Sequence, residues 1–278
     1  MSFHNKMMLS TYRIALLQMS PDLLDPEKNL NKAEEMLREA ANNGAKLACL
    51  PESFNLGYAN ARIEDLVSYV KTHEDSTLAR LRDLAAELRI HILAPTFLKN
   101  EQGQVENRAF LIDDEGVLLG SYAKTHLTAA EKGRISRGQA YPVFDTRLGK
   151  IGISICYDIC FPEVSRMLAL EGAQVILVCA AWHESDEYRR WWDMNVGCRA
   201  MDDLVYVAAV NQTGGAAQED FLGRSQIIDP KGIRLCLGED REEILYGDID
   251  LDRVTAARTD NTVLTDRHPL EYRRICEQ

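Results

Sequence analysis

The segment IGISICYDICFPE, residues 151 to 163, joins an apolar run to the start of a helix. The run predicts a buried strand, and Phe161-Pro162-Glu163 predicts a helix start because proline suits the first helical turn. Cys156 lies at the corner between them, where the backbone is rigid and nearby amide groups favour a thiolate. It is therefore a candidate nucleophile, although free cysteine is also a common apolar core residue.

Two other apolar runs end at a charged side chain. Glu52 follows the run in KLACLPESF, residues 46 to 54, and Lys124 in YAKTHL, residues 122 to 127, follows the run VLLGSY. Each has a common alternative role, since such a glutamate is usually a polar turn residue and such a lysine usually extends along the surface. A cysteine nucleophile nevertheless needs a base and an orienting partner from elsewhere in the chain. The sequence offers an acid, an ammonium and a thiol at three predicted strand ends.

Strand and helix patterns alternate along the chain. The predicted strands are 13–19, 46–51, 91–97, 107–112, 117–122, 150–155, 174–180 and 204–210, and the predicted helices are 26–43, 78–88, 162–170 and 188–203. Asp113 to Gly116 predicts the turn of a hairpin, because aspartate and glycine tolerate its geometry. The pattern favours one α/β domain, in which mixed sheets carry helices on their outer faces.

Composition and charge limit the possible partners. The 278 residues are 46% hydrophobic and carry a net charge of −11, which argues against nucleic acid or an anionic membrane as the main partner. No run approaches the roughly 18 consecutive apolar residues of a membrane span. The start MSFHNKMMLS lacks the features of a secretory signal. Seven cysteines without paired zinc-like spacing fit a reducing compartment, so we expect a cytoplasmic protein without a metal site.

Four motifs together resemble the nitrilase superfamily of carbon–nitrogen hydrolases, specifically its amidase and carbamoylase branches. They are RIALLQM at 13–19, LPES around Glu52, YAKTHL around Lys124 and GISICYD around Cys156, and the resemblance covers nearly the whole sequence. It implies a four-layer α-β-β-α sandwich of two stacked mixed sheets. We expect a single domain over 1–278, with a core of about 11–255. The C-terminal extension, 256–278, would pack across a homodimer interface or form a solvated tail.

The resemblance also implies a catalytic triad of Glu52, Lys124 and Cys156. Cys156 would attack a small amide or carbamoyl substrate to give a thioester, and Glu52 would carry the protons. Lys124 and the backbone amide of Tyr157 would stabilise the tetrahedral oxygen. Glu131, in EKGRISRG, would be a second glutamate that holds substrate nitrogen or orients Lys124. No cofactor is implied.

The family's substrate pocket is lined by the region after the next strand. Trp182 and His183 are therefore expected to contact substrate, with Trp191 and Trp192 as further candidates. Aromatic core packing is the alternative for the tryptophans. His126 is an alternative base, but a structural histidine is the favoured interpretation.

The substrate and the reaction remain open at this stage. Within the family that the chain resembles, a true nitrilase more often carries tryptophan and glutamate after the nucleophile, so Tyr157-Asp158 favours amides over nitriles. Many amidase-type members have arginine in place of Cys160. An ω-amidase or N-carbamoyl hydrolase acting on carboxylates would need a cation, for which Arg137, Arg189, Arg190 and Arg199 are candidates. A non-catalytic scaffold and an acyl transferase are the alternatives from other classes.

Overall fold

The computed structural model describes residues 8–73, 76–216 and 219–275. The first seven residues of the predicted domain and the last three of the predicted extension lie outside these ranges. The elements of the first half are β1 (Thr11–Gln18), α1 (Pro26–Asn42), β2 (Ala45–Cys49), α2 (Ile63–Thr72), α3 (Thr77–Leu88), β3 (His91–Lys99), β4 (Val105–Ile112) and β5 (Leu118–Ala123).

The second half begins with a hairpin and ends with a helix. Its elements are β6 (Val143–Thr146), β7 (Gly149–Ile155), α4 (Pro162–Leu170), β8 (Val175–Ala180), α5 (Asp186–Asp203), β9 (Tyr206–Asn211), β10 (Thr213–Ala216), β11 (Glu219–Leu222), β12 (Gln226–Ile228), β13 (Arg234–Leu237), β14 (Glu243–Asp250) and α6 (Leu251–Asp260). A short 3₁₀ turn, Cys156–Cys160, connects β7 to α4.

Two six-stranded mixed sheets form the centre of the molecule. Their strand orders are β14-β1-β2-β3-β4-β5 and β13-β12-β9-β8-β7-β6. Three neighbouring strands in each sheet are parallel, β1-β2-β3 and β7-β8-β9, and the remaining pairs are antiparallel. Helices α1 and α3 cover the first sheet, α4 and α5 cover the second, and β1 meets β9 between them. The predicted four-layer α-β-β-α sandwich is confirmed.

Alternate residues of β1 show how the sequence forms these layers. Ile14 and Leu16 belong to the core between the two sheets, whereas Ala15 and Leu17 pack under the helices of the first sheet. A strand with apolar residues on both faces is stable only where both faces are covered. Such a continuous apolar run therefore places β1 in the interior of a layered fold.

The sequence pattern missed all of the numbered elements after residue 211. It predicted neither α2 nor β6, and none of β10 to β14 or α6. Most of these strands have only three or four residues, too few to show a clear period. The predicted strand at 204 starts two residues later, because Leu204 adopts a left-handed conformation that ends α5.

Strand β14 and helix α6, near the C-terminal end, pack against the core. Strand β14 pairs antiparallel with β1 along its full length. Helix α6 follows at once, and its Val254 and Ala257 are buried. The predicted start of the extension, residue 256, therefore lies within a packed helix. Among the described residues, no helix is long and apolar enough to cross a bilayer.

Candidate active site

An ammonium and two carboxylates meet inside the sandwich. Lys124 follows β5, and its Nζ lies 2.9 Å from Glu52 Oε1 and 2.9 Å from Glu131 Oε1. The three side chains are at most 1% exposed. Charged groups are rarely buried so completely without a partner, because removing them from water is costly. The sequence placed these residues in one site, and the structure brings them into direct contact.

Opposing influences act on the pKa of Lys124. Burial alone would lower it, but the negative charges of Glu131 and Glu52 outweigh burial and raise the pKa well above its ordinary value. The ammonium therefore stays charged through the neutral range. It can donate to a developing negative oxygen, but it cannot serve as a base.

Glu52 is held at both carboxylate oxygens. The side-chain amide of Asn107 donates to Oε1 at 2.7 Å, the same oxygen that Lys124 contacts. The backbone N–H of Ala181 donates to Oε2 at 2.8 Å. The Gln212 side chain donates to the Glu52 backbone carbonyl at 2.6 Å. These bonds fix the carboxylate in one orientation, which a proton carrier needs.

Cys156 follows β7 in a strained backbone conformation. Its φ is +47°, a region that non-glycine residues seldom occupy and that often marks a functional site. The residue is 7% exposed. Burial raises the pKa of the thiol well above its ordinary value, and the charge of Glu52 adds to this, while Lys124 and a hydrogen bond from the Ala181 amide oppose it. The resting group is thus a thiol that needs a base to react.

The backbone amide of Ala181 interacts with both Glu52 and Cys156. Its N–H faces both Glu52 Oε2 and the sulfur of Cys156. The carboxylate and the thiol therefore lie on the same side of one peptide group. The structure brings the acid, the ammonium and the thiol of the sequence prediction into one buried cluster.

Tyr157 is the second residue of the 3₁₀ turn Cys156–Cys160. Amide groups in the first turn of a helix have no partner within it and can bind an oxyanion. The backbone position is therefore suited to the role expected for Tyr157. Its half-buried ring packs edge-on against Phe161, with the ring centroids 5.2 Å apart.

His126 has a structural environment rather than a place beside the thiol. Its Nδ1 lies 2.9 Å from a carboxylate oxygen of Asp158, and its ring stacks on Phe161 at 3.7 Å. Strand β5 ends at Ala123, so Lys124 and His126 do not share a strand face. These contacts agree with a structural role for the histidine, which stays a prediction.

Trp182 and His183 follow directly after Ala181. The indole N–H of Trp182 donates to the Tyr188 carbonyl at 3.0 Å. The Nε2 of His183 lies 2.6 Å from the Asn60 side-chain amide and 3.4 Å from a Glu219 carboxylate oxygen. Both residues therefore follow in the sequence the residue whose amide contacts Glu52. His183 is partly exposed to solvent. Of the other two tryptophans, Trp192 is fully buried in the core and Trp191 is exposed.

Comparison with known proteins identifies the family. The chain matches the family model described as carbon-nitrogen hydrolase over residues 13–259. It belongs to the carbon–nitrogen hydrolase family.

The relatives of this carbon–nitrogen hydrolase include amidases and proteins named as nitrilases. A nitrilase of Pyrococcus abyssi is 34% identical, with 94% of this chain and 99% of the relative covered. An omega-amidase of Mus musculus is 30% identical, with coverage of 92% and 95%. An amidase structure from Nesterenkonia is 27% identical, with a TM-score of 0.83 and coverage of 95% and 96%. That structure carries the acetamide moiety of fluoroacetamide on its active-site cysteine. The chain is accordingly a carbon–nitrogen hydrolase.

Sequence reasoning missed several groups of this hydrolase site. Asn107 lies on β4 and no sequence motif marks it. It becomes a partner of Glu52 only because the sheet brings β4 close to the end of β2. The Ala181 amide is a backbone group, which no residue type reveals. Asp158 was visible within CYD, but the hydrogen bonds that it accepts come from residues far away in the sequence. Spatial neighbours of this kind appear only when the strands are assembled.

The four candidate arginines have other partners or positions. Arg189 pairs with Glu184, and Arg199 donates to the Ile159 carbonyl. Arg137 lines a separate surface cavity of about 450 Å³, and Arg190 is exposed on α5. Within the described ranges, the hydrogen bonds and ion pairs of these arginines do not reach Glu52, Lys124 or Cys156.

Cys160 occupies the end of the 3₁₀ turn. It is partly exposed, and burial raises the pKa of its thiol to about 11, partly offset by the charge of Arg199. It stays protonated at neutral pH and is four residues from the nucleophile candidate. In the part of the chain that the structure describes, no group of three or more His, Cys, Asp or Glu side chains is arranged to hold a metal ion.

Proposed function

We propose that the chain hydrolyses a small amide through a thioester on Cys156, with Glu52 as proton carrier and Lys124 as oxyanion donor. The observation that supports this most is the fully buried Lys124 between two carboxylates, next to a thiol that shares the Ala181 amide with Glu52. An ammonium and carboxylates buried at such cost are common at functional sites.

The first half of the reaction forms the thioester. Glu52 accepts the thiol proton, the sulfur of Cys156 bonds to the carbonyl carbon, and the carbonyl oxygen becomes negative. Lys124 and the Tyr157 amide donate to this oxygen, and each donor of this kind lowers the barrier by a few kcal/mol. Glu52 then passes its proton to the nitrogen, the carbon–nitrogen bond breaks, and ammonia or an amine leaves.

The second half restores the enzyme. Glu52 takes a proton from water, the resulting hydroxide bonds to the thioester carbon, and the carbon–sulfur bond breaks. The sulfur recovers its proton and the carboxylic acid leaves. Glu131 accepts from Lys124 at 2.9 Å, so we assign it the orientation of the ammonium rather than direct contact with the leaving nitrogen.

We propose that the preferred substrate is an amide whose acyl group carries no charge. Arg189 and Arg199 have partners elsewhere, Arg137 and Arg190 are exposed, and His183 already faces Glu219. A substrate carboxylate at this site would be desolvated without a cation to compensate it. Trp182 and His183 are the proposed substrate contacts. An ω-amide of a dicarboxylic acid is the second candidate, favoured by the likeness to the omega-amidase of Mus musculus.

A substrate panel tests the proposal. Ammonia release is measured for simple amides, ω-amides of dicarboxylates, N-carbamoyl amino acids and nitriles, with the Cys156→Ala protein as the blank. We expect simple amides to give a kcat/KM at least about tenfold above that of ω-amides, because the latter bury an unpaired charge. Faster ω-amide turnover would support the second candidate, and no turnover of any compound would overturn the proposal.

Hydrolysis and acyl transfer can be separated with the same panel. Hydroxylamine is added, and the product is analysed as carboxylic acid or hydroxamate. We expect the acid to predominate without hydroxylamine. An enzyme that forms no acid without an added amine would be a transferase instead.

We also propose that the protein is a homodimer through α4 and α5. An exposed apolar stripe runs along these helices and consists of Trp191, Met194, Met201, Met167 and Leu170. An axis near residue 196 would lay α5 antiparallel to its own copy. Trp191 of one copy would then meet Met201 of the other, and the exposed Arg190 would meet Asp202. An apolar patch with opposite charges at its two ends fits a two-fold interface.

Met194→Glu is expected to dissociate this dimer. The side chain is 66% exposed in the isolated chain and lies next to the proposed axis, so a carboxylate there would face its own copy. Sedimentation velocity at micromolar concentrations should show at least about a hundredfold rise in the dimer Kd. Ile233→Glu, at an equally apolar surface position that is 54% exposed, is the matched control. A monomeric unmodified protein, or an unchanged dimer in Met194→Glu, would contradict the interface.

We propose a single domain and a cytoplasmic location. One core cluster contains residues of both sheets and of α6, which supports a domain that continues to residue 260. The described residues of the extension after 260 are mostly exposed. The six described cysteines are free thiols, which supports a reducing compartment.

A further inference from the structure

The carboxylate of Asp158 joins two loops of the site. Asp158 is fully buried and lies two residues after Cys156. One oxygen, Oδ1, accepts from the backbone N–H of His126 at 2.9 Å and from Thr125 Oγ1 at 3.0 Å. The other oxygen, Oδ2, accepts from the backbone N–H of Ile155 at 3.1 Å and from the Tyr122 hydroxyl at 2.8 Å.

Each carboxylate oxygen of Asp158 accepts from the backbone of a different segment of the site. The Oδ1 donor, His126 N–H, belongs to the loop that carries Lys124. The Oδ2 donor, Ile155 N–H, belongs to the turn that carries Cys156. A carboxylate can accept at both oxygens, whereas an amide offers only one acceptor oxygen and presents N–H groups at the other side. An asparagine at 158 must therefore lose one of the two backbone bonds.

The same carboxylate supports the strained turn at the nucleophile. Cys156 has a φ of +47°, and such a conformation persists only when surrounding contacts enforce it. Asp158 reaches back to the amide of Ile155, directly before the strained residue, as an acidic residue does in a helix-capping arrangement. The bond holds the turn closed at the point where the thiol is presented.

We propose that Asp158 is a positioning residue that fixes the Cys156 thiol relative to the Lys124 ammonium. It contacts neither the substrate nor the reacting atoms and acts through the two backbone segments. The proposal rests on the proposed function for its effect on turnover. Tyr122 and Thr125 through their hydroxyls and His126 through its backbone N–H all donate to Asp158, so YAKTHL and CYD meet at this carboxylate.

Asp158→Asn is the direct test. A displacement of about 1 Å at a reacting centre can cost about a hundredfold in rate. We expect kcat for the best amide of the panel to fall at least about a hundredfold, with KM within about threefold of the unmodified protein. A purely structural role would lower the fraction of folded enzyme and leave the kcat of the folded fraction unchanged. A folded Asp158→Asn protein with kcat within about threefold of the unmodified enzyme would overturn the proposal.

Asp203→Asn is the matched control. Asp203 is also a buried carboxylate, at 1% exposure, but it pairs with Arg166 on the outer helices at 2.7 Å. We expect it to reduce the melting temperature and to keep kcat within about threefold. An equal loss of kcat in both variants would show that burial of the charge, rather than its position, matters.

A second readout does not depend on the natural substrate. The second-order rate of Cys156 alkylation by iodoacetamide, measured by mass spectrometry, should fall at least about tenfold in Asp158→Asn and stay unchanged in Asp203→Asn. If the unmodified protein hydrolyses no amide, the proposed function fails while this comparison still tests the positioning. Equal alkylation rates in the two variants would overturn the proposal.

A milder variant covers the case in which Asp158→Asn does not fold. Tyr122→Phe with Thr125→Val removes one donor from each oxygen and keeps the carboxylate and both backbone bonds. We expect a loss in kcat of about 3- to 30-fold with KM unchanged. If Asp158→Asn does not fold and the double variant has the same kcat as the unmodified protein, the proposal is overturned.

Discussion

Cys156→Ala is expected to lower kcat by at least about 10⁴-fold and to leave the fold intact. The loss is large because the thioester forms on the sulfur, so the two easier steps revert to one difficult step. The fold should survive because the change removes one atom from a side chain at the edge of the core. Alanine and cysteine both have a Cβ, so both are strained at a φ of +47° and the substitution leaves the backbone strain of the turn unchanged. Ammonia release and a thermal melt check both parts.

A second cysteine provides the control for this change. Cys236 on β13 is partly buried and lies on an edge strand of the second sheet. Cys236→Ala is expected to keep kcat within about threefold, since it loses the same atom outside the site. Turnover by Cys156→Ala above about 1% of the unmodified rate would rule out this sulfur as the nucleophile.

Lys124→Met is expected to reduce both stability and activity. Methionine keeps most of the volume but leaves two carboxylates buried without their cation. Removing one partner of a buried ion pair typically costs about 3–5 kcal/mol in the free energy of unfolding. The lost oxyanion donor should lower kcat by about 10²- to 10³-fold. Urea unfolding followed by circular dichroism measures the first effect, and ammonia release measures the second.

Adding Glu131→Gln to Lys124→Met separates the two effects. The double variant keeps one buried carboxylate instead of two, so it should recover at least about 1 kcal/mol relative to Lys124→Met. Its activity should stay low because the ammonium is still absent. The control Lys28→Met breaks an exposed pair with Asp22 and should leave the urea midpoint unchanged. Stability equal to the unmodified protein in Lys124→Met, or no recovery in the double variant, would contradict a charge cluster of this kind.

The alternation of apolar runs predicted the central elements of the fold. Strands β1, β2, β3, β7 and β8 are long apolar runs that are buried on both faces, so their sequences carry the signal directly. The short strands β10 to β13 have three or four residues and depend on their neighbours. Strand β14 consists mostly of partly exposed residues and pairs with β1, more than two hundred residues away in the sequence. Periodicity detects the first group because the pattern is local, and it misses the others because their stability comes from distant partners.

The site was predicted as three motifs at strand ends, and the structure brings those motifs together. Glu52, Lys124, Glu131 and Cys156 were named through the motif resemblance, and their contacts follow from the way the two sheets stack. Asn107 and the Ala181 amide were missed, although they hold both oxygens of Glu52. Of the arginines considered for substrate recognition, Arg189 and Arg199 bind elsewhere and Arg137 and Arg190 are exposed, which residue type and order along the chain do not reveal.

The sequence by itself determined the layered α/β fold and the chemical types of the reacting groups. The α/β pattern depends on which runs are apolar, whereas the stacking of two sheets and the roles of the reacting groups were implied by the motif resemblance. Only the tertiary structure decided that Lys124 lies between two carboxylates, that Cys156 is strained and protonated, and that Asp158 connects their loops. The physical reason is that burial, charge pairing and backbone strain are properties of a site after distant segments have packed together, and none is a property of one segment alone.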